Sequence, residues 1–330
     1  MFMKYVPDSS SFGFMKLRML TFIVSCVGIV LSIFLIATQG LNLGIDFKGG
    51  SVIETTKPET VQIEDVRASL GGLGLGEVVI NEARGTGVED TTILVVRIAT
   101  QDAPADEVEA AQQAATDLVV NTLTEAYPAT DAGEGLVVLS RASIGPKVSG
   151  ELFKSGITAL VVALALMLLY IRFRFDWQFS LGAVAALTHD VILTIGVFSG
   201  LQLEFNLTTI AALLTIIGYS MNDTVVVFDR VREESRKYKQ MPNRELVDFA
   251  LNGTLSRTLL TSVTTLLALL AIFILGGPVL RGMSFALIWG VVVGTYSSVF
   301  VASSLLLTLP DGWRHGKKKA DDVVGFQGVD

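Results

Sequence analysis

Four ionisable residues lie inside long apolar stretches of the sequence, where a charged group is unusual. They are His189, Asp190, Asp223 and Arg257. An Asp at the centre of a membrane-spanning helix costs roughly 2.5–3.5 kcal/mol on insertion scales, so such residues usually face a protein interior and have a function there. The chemistry that these residue types offer is the binding and release of a proton by a buried carboxylate.

The spacing predicts that Asp223 and Arg257 lie at similar depth on consecutive antiparallel helices. Asp223 falls seven residues before Arg230, which places it about 10 Å from that helix end at 1.5 Å per residue. Arg257 begins an i, i+4, i+7 row with Thr261 and Thr264, near the same end of the next helix. Matched depth permits an ion pair, which could titrate. The alternative is a buried pair that only fixes the helix register.

The pair His189 and Asp190 is predicted near the membrane midplane, about 12 residues into its segment. Asp190 shares an i+4 row with Gly182, Ala186 and Thr194, and such a narrow stripe lets another helix approach closely. The sequence therefore predicts that Asp190 points into a helix bundle.

Six apolar segments must position these side chains. Of the 330 residues, 51% are hydrophobic and 17% are charged, against roughly 25% charged in soluble domains. A membrane core takes roughly 20 helical residues to cross, and the first segment is too long for the apolar part of a signal peptide, which indicates an uncleaved anchor. The segments are predicted at residues 19–39, 154–172, 176–204, 204–230, 257–281 and 282–310, so that residues 151–310 hold the last five.

Lys and Arg residues predict the orientation, because positive charges that flank a span remain in the cytoplasm. With six spans, almost all of them fall on one side. Residues 1–18 and the tail 311–330 are therefore predicted to be cytoplasmic, and residues 40–150 to lie outside the cytoplasm. The flanking charges are Lys4, Lys16, Arg18, Arg172, Arg174, those of residues 230–244, Arg314 and Lys317 to Lys319.

Residues 40–150 alternate strand and helix patterns in the order βαββαβ, which predicts a ferredoxin-like α+β domain. This segment holds 17 Asp and Glu against 7 Lys and Arg, and so acidic a domain is a poor binder of nucleic acid. It has no His, no Cys and no nucleotide-binding loop, so the sequence predicts neither a metal site nor an enzyme. Strands are predicted at residues 51–56, 77–83, 91–99 and 135–142, helices at 60–70 and 105–126 with Thr60 as N-cap, and a turn at 84–87.

Small residues recur every fourth position in the last apolar segment. Gly282, Gly290 and Gly294 belong to this row, and the last two form a G-x-x-x-G motif. Such a row is typical of tight helix packing. The sequence therefore predicts that this helix contributes a scaffold face.

Several stretches, spread in order along the chain, resemble the motifs of the SecF family, the SecF subunits of the bacterial SecD–SecF protein-export complex in the resistance-nodulation-division superfamily. The first is Gly44-Ile45-Asp46-Phe47-Lys48-Gly49-Gly50, similar to the family's G-x-D-F-x-G-G signature. The second runs from Ser220 through Asn222, Asp223 and Thr224 to Asp229 and Arg230. Shorter matches are Ile144 to Pro146, His189-Asp190 and Arg257 to Ser262.

The resemblance implies a partner and an activity. The partner is SecD, whose six helices would pair with these six, and the activity is proton-driven assistance to unfolded preproteins that leave the SecYEG channel. Asp223 and Arg257 match the family's proton-pathway residues, with His189 and Asp190 as secondary candidates. Protons would be the coupling ion, and no cofactor or nucleotide is implied.

Three other functions compete with this hypothesis. A stand-alone lipid or small-molecule exporter of the same superfamily would have two fused six-helix halves, and this sequence has one. An intramembrane aspartyl protease would need Asp190 and Asp223 at the same depth, and their predicted depths differ. A structural assembly factor of the translocon would make no use of a proton gradient.

Overall fold

The structure is a computed structural model that describes residues 12–58, 60–84, 92–104, 106–128, 135–310 and 313. The predicted turn after Arg84 and nearly all of the tail 311–330 lie outside these residues. In chain order, the elements are a 3-10 turn Phe14–Lys16, α1 Arg18–Gln39, α2 Ile45–Lys48, β1 Gly50–Lys57, α3 Ile63–Gly71, β2 Val78–Arg84, β3 Thr92–Ile98, α4 Val108–Ala126, β4 Val138–Ile144, α5 Pro146–Arg174, α6 Trp177–Gly200, α7 Leu207–Lys237, α8 Asn243–Leu275, α9 Gly277–Tyr296, a π-helical turn Ser297–Ala302 and α10 Ser303–Thr308.

Six helices are long and apolar enough to cross a membrane: α1, α5, α6, α7, α8, and the continuous sixth span from α9 through the π-helical turn to α10. The predicted number of spans is thus confirmed among the described residues. The predicted start of the fifth span at Arg257 is wrong as a helix boundary, because α8 begins at Asn243. Its first turns contain the charged residues Arg244, Glu245 and Asp248, so a rule based on uncharged runs misses them although the helix continues through them.

The bundle has three central and three outer helices. About half of the apolar stretch of α6, α7 and the sixth span is buried within the chain, against less than a fifth for α1, α5 and α8. The central helices contact one another throughout the main hydrophobic core. This arrangement places His189, Asp190 and Asp223 at the centre of the bundle, because all three lie on α6 or α7.

Glycines of α9 set the distance between α9 and α7, as the small-residue row predicts. A β-carbon on Gly290 would overlap the Ile216 side chain of α7, and one on Gly294 would lie 3.0 Å from the β-carbon of Ser220. Gly282 differs, since a β-carbon there would have no neighbour within 4 Å. Gly282 therefore lies outside the close contact between α9 and α7 within the described part of the chain.

We expect Gly290→Ala to destabilise the protein by about 1–3 kcal/mol, because overpacking a close helix contact forces the backbones apart. Gly282→Ala is the matched control on the same helix, and it should be neutral or slightly stabilising, since Ala favours a helix over Gly. Thermal unfolding of the detergent-solubilised protein would measure both. Equal unfolding temperatures for the two variants would contradict the close α7–α9 contact.

Residues between α1 and α5 form an α+β domain around a four-stranded antiparallel sheet. The order of its elements is βαββαβ, as predicted, and the strand order across the sheet is β2-β3-β1-β4. Side chains of α3 and α4 pack with those of the strands in one hydrophobic core. Three predicted boundaries are wrong by three residues: α3 begins at Ile63 with Gln62, rather than Thr60, at the N-cap position, α4 begins at Val108, and β4 begins at Val138.

Candidate functional site

Asp190 lies at the centre of a buried polar cluster that joins three helices. Its Oδ2 atom accepts hydrogen bonds from Ser220 Oγ of α7 at 2.6 Å and from Ser297 Oγ of the sixth span at 2.8 Å. Its Oδ1 atom lies 2.9 Å from Nδ1 of His189. The carboxylate is 1% exposed, so the predicted inward direction of Asp190 is confirmed. Because buried polar groups need partners, these contacts explain how the carboxylate is accommodated.

A second polar contact lies next to the first. The hydroxyl groups of Thr224 on α7 and Ser298 on the sixth span are 2.9 Å apart, and both side chains are buried. Ser297 and Ser298 begin the π-helical turn, a local form that is rare and frequently found at functional sites. The carbonyl oxygen of Ala302, at the end of this turn, would lie 3.2 Å from a β-carbon on Gly182 of α6. The π-helical turn of the sixth span therefore contacts both α6 and α7, next to the α9 glycines that pack against α7.

The His189 ring lies at the edge of this cluster. It stacks on the Tyr296 ring, with centroids 6.0 Å apart and planes at 30°. The Tyr296 hydroxyl donates to the carbonyl oxygen of Thr21 at 2.9 Å and lies 3.0 Å from Ser25 Oγ, so it reaches α1. The Nε2 atom of His189 is buried with no hydrogen-bond partner within the described part of the chain. The ring is thus held by Asp190 and Tyr296, while its buried Nε2 atom makes no hydrogen bond to the described residues.

Asp223 is buried one helical turn from Ser220, and its Oδ2 atom has no hydrogen-bond partner among the described residues. The polar residues next to it along α7 either bond to other residues or are exposed. Ser220 bonds to Asp190, Thr224 pairs with Ser298, and Asn222 is exposed on the outer face of α7. Adjacent residues of a helix point about 100° apart, so one helix cannot direct all of these side chains to one carboxylate.

Arg257 is exposed on α8, and no ion pair within 4.0 Å joins it to Asp223, although both residues are described. Similar depth on two neighbouring helices is therefore not sufficient to form a direct ion pair between these residues within this chain. The inward face of α8 is instead formed by Thr258 and Ser262, and Ser262 Oγ lies 2.7 Å from Thr295 Oγ1. Arg257 still acts on Asp223 electrostatically over a longer distance.

Asp229 and Arg230 lie further along α7 and both make ion pairs. Asp229 pairs with Arg174 at the end of α5 at 3.3 Å. Arg230 pairs with Glu233 at 3.0 Å and with the buried Glu234 at 2.9 Å. These contacts join helix ends, and mostly exposed ion pairs of this kind contribute little to stability.

The Gly-rich motif between α1 and β1 joins the α+β domain to α7. The Asp46 carboxylate accepts a hydrogen bond at 2.8 Å from the backbone N–H of Leu207, the first residue of α7. An acidic group at a helix N-terminus satisfies a free donor and is favoured by the helix dipole. The Phe47 ring packs against Phe153 and Phe205, with centroids 5.4 and 6.0 Å apart.

Three glycines of this motif are required for close contacts. Gly49 and Gly50 have φ angles of 75° and 114°, which favour glycine. A β-carbon on Gly50 would overlap the carbonyl oxygen of Ile98 in β3, and one on Gly44 would lie 2.6 Å from Oε1 of Glu204. The motif thus brings the domain close to the connection between α6 and α7.

An ion pair between Arg97 of β3 and Glu204 also lies at this junction. Burial raises the pKa of the Glu204 carboxyl above its usual range, Arg97 acts in the opposite direction, and the negative charges of Asp46 and Glu54 raise it further. The folded chain therefore holds this proton more tightly than the unfolded chain. The contribution of Glu204 to stability decreases as the pH rises through its folded pKa.

The sequence predicts no role for Ser297 or Tyr296, and it indicates Ser298 only as a member of the small-residue row, four positions after Gly294. Ser297 lies outside that row. The spacing of residues along one helix does not show where a π-helical turn forms. The direction of Ser297 toward Asp190 could therefore not be predicted.

Comparison with known proteins gives a consistent result along the chain. Residues 126–311 match the family of the protein export membrane protein SecD/SecF, C-terminal part, and residues 34–56 match the SecD/SecF GG motif. The protein translocase subunit SecF of Rhodobacter capsulatus is 47% identical over 98% of this chain and 96% of its own length. The subunit SecF of Vibrio alginolyticus is 40% identical over 90% of this chain and 89% of its own length.

A solved structure has the same fold. The crystal structure of SecDF, a translocon-associated membrane protein from Thermus thermophilus, superimposes with a TM-score of 0.77 and 35% identity over 92% of this chain. This chain covers only 39% of that longer chain. The six apolar helices, the two matched regions and the relatives that align over nearly their whole length show that the chain belongs to the SecD/SecF family of protein-export membrane proteins, among the translocase subunits of the SecF type.

Proposed function

We propose that this translocase subunit works with SecD and uses the proton gradient to promote the movement or release of preproteins on the periplasmic side of SecYEG. One observation carries the proposal. Asp223 is a buried carboxylate in a central helix, with an oxygen atom that has no partner among the described residues. A carboxylate oxygen without a hydrogen-bond partner can accept a proton. Acidic residues within membrane spans usually mark proton pathways.

The energy available is sufficient for a change in helix packing. A proton that crosses a potential of 100 mV releases about 2.3 kcal/mol, which is comparable to a few buried hydrogen bonds of about 1 kcal/mol each. Proton binding would neutralise Asp223 and so change its interaction with Arg257, a local charge change that can bias a two-state element. The sequence contains no Walker-type nucleotide motif, in agreement with a gradient as the energy source.

The outer face of α7 supports a SecD partner within the membrane. Ala211, Thr215, Gly218 and Asn222 are exposed and follow one another at helical spacing, and a β-carbon on Gly218 would have no neighbour within 4 Å. Small residues allow close helix contacts, and the Asn side chain can form hydrogen bonds with a neighbouring helix but not with lipid tails. The exposed Arg257 of α8 would be costly against lipid as well. A second six-helix subunit would cover these groups.

The topology belongs to the same proposal. Both termini are cytoplasmic in the bacterial inner membrane, and the α+β domain is periplasmic with a ferredoxin-like fold. The strand order β2-β3-β1-β4 and the βαββαβ element order support this fold assignment. The basic residues of the α7–α8 connection support the orientation.

The test is the dependence of export on the gradient. Membrane vesicles with SecYEG, SecD and this chain should export a radiolabelled preprotein faster with an imposed proton gradient, and an uncoupler should remove this increase. Vesicles that lack only this chain are the control and should show no increase. An equal increase in export rate without the chain would exclude proton coupling through this chain. Lower SecD or SecYEG levels in the control vesicles would favour a structural assembly factor.

A further inference from the structure

We propose that Asp190 is a positioning residue for Asp223: by holding Ser220 and Ser297 together, its carboxylate fixes the rotation of α7 that directs the Asp223 side chain. This inference rests on the proposed function, since it assumes that Asp223 is the group that binds the proton. It assigns to Asp190 a role different from that of a second proton carrier.

One oxygen atom connects the two helices. Oδ2 of Asp190 accepts from both Ser220 Oγ and Ser297 Oγ, at 2.6 and 2.8 Å, and all three side chains are almost completely buried. Hydrogen bonds are electrostatically stronger in a buried environment than in water, and a buried hydroxyl without a partner is costly. Asp190 therefore fixes α7 to the sixth span at the position of Ser220.

A second contact fixes α7 one turn further. Thr224 and Ser298 are joined at 2.9 Å, and Thr224 follows Ser220 by four residues, on the same face of the helix. Asp223 lies between these two anchors in the sequence. At about 100° per residue, it points about 60° away from Ser220. With Ser220 and Thr224 fixed, α7 cannot rotate, and the direction of Asp223 is set.

The two carboxylates differ in how their oxygen atoms are occupied. Both oxygen atoms of Asp190 have partners, with His189 on Oδ1 and the two serines on Oδ2. The buried Oδ2 atom of Asp223 has no hydrogen-bond partner among the described residues. The ionisable groups that contact or act on these carboxylates among the described residues are His189 of α6 and Arg257 of α8. A carboxylate with hydrogen bonds on both oxygen atoms suits a fixed connection between helices. A carboxylate with an unpaired oxygen atom suits proton exchange.

Two substitutions at the same position separate positioning from proton binding. Asp190→Asn remains neutral at any pH, but its side-chain amide can still bond to both serine hydroxyls. We expect this variant to keep most of the gradient-driven export. Asp190→Ala removes the connection between α7 and the sixth span and leaves the buried Ser220 hydroxyl without its acceptor, whereas Ser297 keeps the carbonyl oxygen of Gly294 at 3.1 Å, so export should fall about tenfold or more at equal abundance. Asp223→Asn, in the same assay, is the reference for a variant that cannot exchange a proton.

A direct measurement at Asp223 excludes a merely structural effect. A hydrophobic carbodiimide reacts with buried protonated carboxyl groups, and peptide mass spectrometry gives the labelled fraction of Asp223 at each pH. Asp190→Ala should shift the pH at which half of Asp223 is labelled, and Asp190→Asn should leave it near the wild-type value. A loss of stability alone would reduce the amount of protein without a change in this curve.

If Asp190→Ala does not accumulate, Ser297→Ala replaces it in both measurements, because it breaks one of the two bonds to Oδ2. Export by Asp190→Asn as low as by Asp223→Asn would overturn the inference and show that Asp190 itself exchanges the proton. An unchanged labelling curve in Asp190→Ala or Ser297→Ala would also overturn it. Normal gradient-driven export by Asp223→Asn would instead refute the proposed function, whatever the Asp190 variants show.

Discussion

Asp223→Asn should abolish gradient-driven export and leave the protein in the membrane at its normal abundance. Asn has nearly the same shape as Asp and can make similar hydrogen bonds, but it cannot lose or gain a proton in this pH range. Because the wild-type carboxylate has an oxygen atom without a partner among the described residues, the substitution breaks no hydrogen bond to that atom. Removal of a charge should also make insertion of this helix easier.

Three measurements on the same membranes are needed to interpret this variant: export with and without a gradient, abundance of the chain, and the amount of SecD that co-purifies. A functional role predicts that only the gradient-driven part of export disappears. A purely structural role predicts that abundance or SecD binding decreases in proportion to export. Gradient-driven export at the wild-type rate would rule out Asp223 as the proton-binding group.

Much of the bundle could be predicted from the sequence because its signal is strong. Apolar stretches of sufficient length gave the six spans, and the small residues beside Asp190 gave the inward direction of its side chain. The start of α8 could not be predicted in this way. Helical turns that contain charged residues, beyond an uncharged stretch, are held by contacts such as the hydrogen bond from the Met15 N–H to Asp248, which joins residues 233 positions apart.

The partners of the buried carboxylates could be predicted only in part. Helical spacing correctly places Asp223 beside Ser220 and Thr224, but it does not tell which neighbouring helix each side chain faces. The structure directs both hydroxyls to the sixth span and to α6, away from Asp223. This outcome depends on the packing of three helices and on the π-helical turn, neither of which is encoded in the spacing along one segment.

The Gly-rich motif was recognised only as a family signature, without a physical role. Its role depends on residues distant in the sequence: the backbone N–H of Leu207 donates to the Asp46 carboxylate, and the carbonyl oxygen of Ile98 lies against Gly50. Single-sequence analysis can indicate that a Gly pair suits an unusual backbone, but the neighbour that excludes a β-carbon is visible only in three dimensions.

Gly50→Ala should strongly destabilise the α+β domain, by about 3 kcal/mol or more, because it combines an unfavourable backbone conformation with a steric overlap. At a φ of 114°, an Ala is already strained, and its β-carbon would overlap the carbonyl oxygen of Ile98. That oxygen belongs to the strand next to β1 at the centre of the sheet. The sheet must therefore separate where β1 begins, beside the motif that joins the domain to α7.

Gly76→Ala is the matched control, since Gly76 has a φ of 72° but a β-carbon there would have no neighbour within 4 Å. It should cost only about 1 kcal/mol, the backbone part of the effect. Hydrogen exchange of the β1 and β3 amides in the full-length protein measures the difference, and Gly50→Ala should lose far more protection than Gly76→Ala. Equal protection in the two variants would show that the sheet yields to the added methyl group, and the close approach of Gly50 to β3 would then not explain why this position of the motif is glycine.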